Sequence, residues 1–119
     1  LIPEKVTLAV RGAPILNDAT MVDAYEAGLH NLVKIIDNGS DVPGTVLNDC
    51  SFEFQKIFNE AELILAKGQG NFETLSDTSG NLFFLLKAKC PVIANYIGFP
   101  VGSHILTQTQ AAPEPGAVR

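Results

Sequence analysis

Short apolar runs that favour β-strands alternate along the chain with segments whose apolar residues recur at a helical spacing. The apolar runs predict strands at residues 5–10, 33–37, 62–66 and 82–86, and a last, shorter edge strand at residues 103–107. The strand at residues 82–86 is expected to be wholly buried, because all five of its residues are apolar. Strands that alternate with helices favour right-handed crossovers on a parallel sheet. We therefore expect an α/β fold: a parallel-sheet, three-layer α/β/α unit of the Rossmann-like type.

The helices between these strands have recognisable start and stop signals. Thr20 and Asp23 have the spacing of a capping box, which predicts a helix from Thr20 onward. A second helix is expected at residues 49–60, and Asn71 is a candidate cap for a short helical turn. Pro91 and Gly98 suit the start and the end of a last helix. On the first helix one core-facing stripe is predicted, made of Val22, Tyr25, Leu29, Leu32 and Val33.

Length and charge narrow the class of protein. A chain of 119 residues suits one domain, which we place at residues 1–108, followed by a flexible tail at residues 109–119. The net charge of −5 argues against binding to nucleic acid or to an anionic membrane, because both need a cationic surface. Cys50 and Cys90 form no disulfide framework, so a reducing cytoplasm is expected. The chain starts at Leu1, close to a predicted core strand, so either it has been cut or an earlier part of the domain is missing.

Polar and glycine-rich segments follow the first three predicted strands. They are Asn17-Asp18, Gly39-Ser40-Asp41 and Lys67-Gly68-Gln69-Gly70-Asn71. Ligands of open α/β sheets bind at the carboxyl ends of the strands, so these segments are the candidate site. We expect Asp18 and Lys67 to face each other across one cleft at this edge.

Each candidate residue has a functional and a structural interpretation. Lys67 suits a phosphate, and Gly68 and Gly70 let backbone N–H groups approach it; the alternative is a tight turn with an exposed lysine. Asp18 offers hard oxygen ligands to a divalent cation, and the alternative is a cap or turn residue. Neither His30 nor His104 has a Ser or Cys placed to suggest a nucleophilic triad. His30 is expected on a solvated helix face and His104 on an edge strand.

Four segments of the chain, taken together and in order, resemble the later half of the sequences of the damage-control phosphatase family. They are residues 11–20, 39–45, 67–73 and 83–91. This family has long been catalogued as domain of unknown function eighty-nine, and the resemblance covers residues 5–106. It implies a phosphatase that depends on a divalent metal (Mn²⁺, Co²⁺, Ni²⁺ or Mg²⁺) and acts on sugar phosphates or damaged phosphometabolites.

The resemblance also assigns roles to individual residues. It implies that Asp18 is a metal ligand and catalytic residue, that Asn17 supports it, and that Lys67 is catalytic and contacts the substrate phosphate. The substrate-binding wall would comprise Gly39, Ser40, Gly68, Gln69, Gly70 and Asn71. The family's upstream Asp-Asn-Ala-Gly motif, which supplies further metal ligands, has no counterpart here, and Asp37-Asn38-Gly39 matches a different family loop.

The expected partners are therefore a small phosphorylated metabolite and either the missing N-terminal segment or another copy of the chain. Neither a nucleic acid nor a membrane is expected as a partner. Two other functions stay open: a non-catalytic ligand-binding or scaffold unit with the same fold, and a nucleotide-binding module of the flavodoxin or Rossmann type.

Overall fold

A computed structural model describes residues 2–16 and 18–108 of the chain. The chain forms two compact units, the first ending at Glu60 and the second beginning at Ala61. The prediction of one domain over residues 1–108 stays a prediction. The tail predicted at residues 109–119 lies outside the described residues.

The first unit is built on a pair of parallel strands, β1 (Thr7–Val10) and β2 (Lys34–Asp37). The two strands are in register from the Thr7–Lys34 pair to the Val10–Asp37 pair. The predicted first strand loses its start to a short 3₁₀ turn, Pro3–Lys5. The reason is Pro3, because its fixed φ and missing N–H suit the first turn of a helix better than a strand.

The first helix, α1 (Met21–Glu26), starts as the sequence predicts. The Thr20 hydroxyl accepts a hydrogen bond from the Asp23 backbone N–H, and the Asp23 carboxylate accepts one from the Thr20 N–H. The helix is nevertheless short, because Gly28 adopts a left-handed conformation at φ 78° and a 3₁₀ turn, Leu29–Asn31, follows.

The core-facing stripe predicted for α1 is wrong at Val22, Tyr25 and Leu32, whereas Leu29 and Val33 are partly buried. Val22 is 64% exposed and Tyr25 is 50% exposed, whereas Ala24 is the buried residue of this helix. The break at Gly28 takes the later residues of the stripe out of the helical spacing, so Leu32 is exposed too. The buried side of α1 is therefore the side that carries Ala24, and the larger apolar side chains Val22 and Tyr25 lie on the exposed side.

The second helix, α2 (Phe52–Glu60), packs onto β2. It begins three residues later than the prediction from Asp49, because a 3₁₀ turn, Leu47–Asp49, comes first and the Ser51 hydroxyl then accepts a hydrogen bond from the Phe54 N–H. The core residues of this unit are Ile36, Cys50 and Phe54, with Leu47, Ile57 and Phe58 packed against them.

The second unit contains a three-stranded sheet. Strand β3 (Ile64–Lys67) pairs in parallel with β4 (Leu82–Lys87), and β5 (His104–Gln108) pairs antiparallel with β4. The predicted edge strand is confirmed as β5, and two backbone hydrogen bonds just before His104 set its antiparallel direction. There the Ala88 N–H donates to the Ser103 carbonyl and the Gly102 N–H donates to the Ala88 carbonyl, which turns the chain back along β4.

One face of this sheet carries the core of the second unit. Helix α3 (Gln69–Leu75) places Phe72 edge-on against Phe84 of β4, with ring centroids 5.2 Å apart. Helix α4 (Pro91–Ile97) brings Tyr96 against Phe72, and Gly98 ends it in a left-handed conformation, as predicted.

Two predictions for this unit are wrong. We expected β4 to be wholly buried, but alternate side chains face opposite sides, so Phe84 is buried while Leu85 is 40% exposed. We expected Asn71 to be the cap of the following helical turn. The N-cap is Gly68, and Asn71 lies in the first turn, where its side-chain amide donates to the Lys67 carbonyl.

These elements together confirm the predicted mixed α/β class with parallel strands and helices. The antiparallel β5 is an addition that the class prediction did not contain. Within the part of the chain that the structure describes, every helix is too short to cross a lipid bilayer.

Candidate functional site

In the first unit, the loops that follow β1 and β2 are fastened to each other. The Gly12 N–H lies 3.1 Å from the Asn38 side-chain oxygen and 3.2 Å from the Ser40 carbonyl. The same Asn38 oxygen accepts a hydrogen bond from the Ser40 N–H at 3.0 Å. A Cβ atom on Gly12 would lie 2.7 Å from the Ser40 nitrogen, so only glycine fits here. These hydrogen bonds hold the ends of β1 and β2 close together, and we call the bonded residues, Gly12 and residues 38–40, the loop frame.

Asp18 lies on this frame, and its carboxylate is bound to an arginine. The Arg11 Nε donates to Asp18 Oδ2 at 2.8 Å, and another Arg11 N–H donates to the Gly44 carbonyl. The Arg11 side chain is 10% exposed and that of Asp18 is 44% exposed. Leu16, two residues earlier, has a φ of 47°, which is uncommon for a residue other than glycine. Arg11 thus fixes Asp18 at the edge of the sheet.

Gly39 and Ser40, both predicted to bind substrate, take part in the frame itself. Gly39 has a φ of 71° and its N–H donates to the Asp37 carboxylate, which is turn chemistry. Ser40 is buried, donates its hydroxyl hydrogen to Asp49, and accepts from the Val42 N–H. The contacts described for these two residues are internal, and a role in substrate binding stays a prediction for both.

The donors around Asp18 do not form a metal site by themselves. Over residues 2–16 and 18–108, no group of three or more His, Cys, Asp and Glu side chains is arranged to hold a cation. The partner described for Asp18 is a guanidinium, which is itself a cation. Asn17, the predicted support of Asp18, lies outside the described residues.

In the second unit, Lys67 is the last residue of β3 and is exposed. The Gly68 N–H donates to the Leu85 carbonyl, which carries the β3–β4 pairing past Lys67. Gly68 has a φ of 97°, a conformation that glycine adopts readily and other residues rarely do. Gly70 and Asn71 then lie in the first turn of α3. The sequence thus turns directly from strand to helix and leaves the Lys67 side chain at the sheet edge.

The Gln69 side chain joins this turn to the end of β4. Its amide oxygen accepts a hydrogen bond from the Lys89 backbone N–H at 3.1 Å, and its amide nitrogen donates to Glu73 at 3.1 Å. Two segments that are 20 residues apart in the sequence are held together by this contact. Lys67 and Lys89 therefore lie on connected backbone segments.

A pocket of about 330 Å³ opens at this edge of the second unit. Its lining contains three lysines, one histidine, one amide and no carboxylate among the described residues. These residues are Lys67, Gly68, Gln69, Leu85, Leu86, Lys87, Lys89 and His104. An anion is the ligand that such a surface is suited to bind.

Comparison with known proteins identifies the family of the chain. The profile of the damage-control phosphatase ARMT1-like domain matches residues 2–105. The chain belongs to this family. The resemblance recognised in the sequence is thereby confirmed.

Several archaeal relatives in the family are closely similar to the chain. It is 48% identical over 100 residues to a damage-control phosphatase of Pyrococcus horikoshii, a match that covers 83% of the chain and 35% of that relative. It is 41% identical over 104 residues to a damage-control phosphatase of Archaeoglobus fulgidus, with 86% and 36% covered. An uncharacterised protein of Methanocaldococcus jannaschii is 44% identical over 105 residues, with 85% and 34% covered.

A solved structure shows the same fold. The crystal structure of the duf89 family protein from Pyrococcus horikoshii superposes with a TM-score of 0.82 at 45% sequence identity, over 87% of this chain and 37% of that one. The chain therefore spans about a third of the length of the damage-control phosphatases it matches.

The predicted site residues of the chain fall into two groups. Lys67, Gly68 and Gln69 line one pocket, and their role in substrate binding stays a prediction. Asp18 belongs to the first unit and Lys67 to the second, so the expectation that they share a cleft stays a prediction.

Sequence reasoning missed Lys87, Lys89 and His104 as pocket residues. A signal for the two lysines was present, because a strand parallel to β3 ends at the same edge of the sheet. Applied to the predicted fourth strand, the rule that singled out Lys67 also points to Lys87 and Lys89. His104 required knowledge that β5 runs antiparallel, which places it opposite Lys87.

Proposed function

We propose that the chain carries part of the active site of a phosphatase that hydrolyses small phosphorylated metabolites such as sugar phosphates. The observation that supports this most is the cationic pocket around Lys67, at the carboxyl edge of a parallel strand pair. Two of the relatives bear the name damage-control phosphatase, which points to the same chemistry.

The residues of the pocket suit phosphate recognition. The Lys67 ammonium is a compact charge on a flexible stem, able to follow a phosphoryl group as its geometry changes. In phosphoryl transfer, charge spreads over the equatorial oxygens, and positioned cations stabilise it there. Lys67 would therefore bind the transferred group and lower the barrier to its hydrolysis.

Dependence on a divalent metal, such as Mn²⁺, Co²⁺, Ni²⁺ or Mg²⁺, belongs to the same proposal, with Asp18 as one ligand. The described residues do not complete a ligand set, so no step of the reaction is assigned to the metal. Asp18 would also have to exchange its Arg11 partner for the cation. Arg11 would then be free to face an anionic group.

Release of inorganic phosphate tests this function. The full-length gene product that carries this chain would be assayed with an aryl phosphate and several sugar phosphates, with and without Mn²⁺, Co²⁺, Ni²⁺ and Mg²⁺. We expect metal-dependent release that falls at least about tenfold in Lys67→Gln, because a charged contact to the phosphoryl group is lost. Lys56→Gln, which removes an exposed lysine from α2, is the matched control and should behave like the wild type.

Two other outcomes would replace the phosphatase proposal. A folded chain that binds neither phosphate nor metal would indicate a scaffold. Tight binding of a nucleotide without hydrolysis would indicate a nucleotide-binding module.

A further inference from the structure

We propose that the pocket of the second unit holds two anionic groups of one ligand, so that the substrate class is a phosphorylated metabolite with a second phosphate or a carboxylate. The phosphoryl group lies at Lys67, and the second anion lies between Lys87 and His104. This inference rests on the proposed function, because it takes Lys67 as the phosphate contact.

Lys87 and His104 form a side-by-side pair. They are directly opposite each other in the antiparallel pairing of β4 with β5. Side chains at opposed positions point to the same face of a sheet, with Cβ atoms about 4.5–5.5 Å apart. An ammonium group and an imidazole at this distance can both donate hydrogen bonds to one carboxylate or phosphate. The two residues thus make a second anion subsite.

The register also sets the distance between the two subsites. Lys67 is opposite Leu85, and Lys87 lies two residues further along β4 on the same face. Given the rise per residue and the spacing between strands, the Cα atoms of Lys67 and Lys87 are about 8 Å apart, and those of Lys67 and His104 about 12 Å. Long side chains shorten this span. The separation suits a metabolite of about three to six carbons with an anionic group at each end.

The charge of the pocket exceeds what one phosphate needs. Three of the eight Lys and Arg residues of the chain line it, although the chain as a whole carries a net charge of −5. A phosphomonoester carries a charge of about −1.5 to −2 at neutral pH. Lys89 is held next to the same turn through the hydrogen bond from its N–H to Gln69. A ligand with two anions balances this concentration of cations better than a ligand with one.

Binding to matched pairs of ligands tests the inference. Fructose 6-phosphate would be compared with fructose 1,6-bisphosphate, and glycerol 3-phosphate with 3-phosphoglycerate, by calorimetry on the full chain. We expect the member with the second anion to bind at least about tenfold more tightly, in one pair or in both, since charge-assisted hydrogen bonds are added. The pair that shows the preference identifies the second group as phosphate or carboxylate.

Variants assign the preference to the two subsites. In the double variant Lys87→Gln, His104→Gln the preference should fall to about twofold or less, because the added anion loses both donors. Lys67→Gln should weaken both members of each pair, and Lys56→Gln should change neither the affinities nor their ratio.

The inference is overturned if both members of each pair bind equally to the wild type, if the double variant keeps the preference, or if none of these ligands binds. A failure of the proposed function looks different. It is an absence of phosphate release in the assay described above, even where the binding ratio is as expected.

Discussion

Each unit has an edge formed by the carboxyl ends of two parallel strands, β1 and β2 in the first and β3 and β4 in the second. The side chains at these two edges nevertheless differ in what they contact. In the first unit the polar groups bind one another: Asn38 and Ser40 are buried and hydrogen-bonded, and the exposed Asp18 is paired with Arg11. In the second unit the cationic side chains line an open pocket, and the hydrogen bonds of Gln69 beside it are exposed. Parallel strand ends can thus provide a rigid frame or an exposed ligand surface, depending on which side chains close the loops.

The largest difference in stability between the two edges is expected when a hydrogen-bond acceptor is removed, because the Asn38 acceptor is buried and the Gln69 acceptor is exposed. Asn38→Ala leaves the Gly12 and Ser40 N–H groups without their shared acceptor, so we expect a loss of about 2–4 kcal/mol in the free energy of unfolding. Gln69→Ala removes the acceptor of the exposed Lys89 N–H, which water can replace, so the loss should stay below about 1 kcal/mol. Urea unfolding of both variants measures the difference. Equal losses would contradict the contrast between frame and surface.

Replacing one glycine at each edge by alanine tests the same difference in packing, at Gly12 in the first unit and at Gly68 in the second. In Gly12→Ala the new Cβ would meet the Ser40 nitrogen at 2.7 Å, and we expect a destabilisation of about 2–3 kcal/mol. In Gly68→Ala there is nothing within 4 Å of the new atom, and the cost comes from the backbone φ of 97° alone, about 1–2 kcal/mol. Midpoints of urea unfolding report both values. A larger loss for Gly68→Ala than for Gly12→Ala would show that the first loops are not tightly fastened.

The two cysteines give a chemical comparison of the units. Burial raises the pKa of the Cys50 thiol, and the nearby Asp49 carboxylate raises it further, whereas Arg11 acts in the opposite direction. The folded thiol therefore stays protonated at a pH where the unfolded thiol ionises, so stability contributed by Cys50 is lost as the pH rises through the thiol range. We expect iodoacetamide at about pH 8 to label the less buried Cys90 at least about tenfold faster than Cys50. Mass spectrometry of the labelled sites measures this, and equal rates would contradict the burial of Cys50.

The smallest change in stability is expected at Asp18. Asp18→Asn breaks its ion pair with Arg11, but the carboxylate is well exposed, so the free energy of unfolding should change by less than about 1 kcal/mol. Metal-dependent phosphate release should nevertheless be lost, because the proposed ligand is removed. A variant that keeps full metal-dependent release would exclude Asp18 as a ligand.

Much of the fold could be predicted from local patterns. The strands follow β-prone apolar runs, and the Thr20–Asp23 capping box marks the start of α1. The end of α1 could not be predicted from the apolar spacing, because a single left-handed glycine, Gly28, overrides it. The direction of β5 depends on the backbone pairing between Ala88 and Ser103, which is a tertiary contact.

The candidate site was predictable to a similar extent. Lys67, Gly68 and Gln69 were recognised because they follow a strand directly, and they line one pocket. The partner of Asp18 was not predictable, since an arginine at a strand end can reach many acceptors and only the folded loop brings Arg11 beside it. His104 was missed because cross-strand neighbours are set by register rather than by sequence distance.

Titration of inorganic phosphate into the isotope-labelled chain, followed through its backbone amide resonances, tests the central claim most directly. We expect saturable shifts of Gly68, Gln69 and Lys89, an affinity at least about tenfold lower in Lys67→Gln, and no change in Lys56→Gln. Phosphate that binds Lys67→Gln as tightly as the wild type, or shifts that cluster away from this pocket, would contradict it.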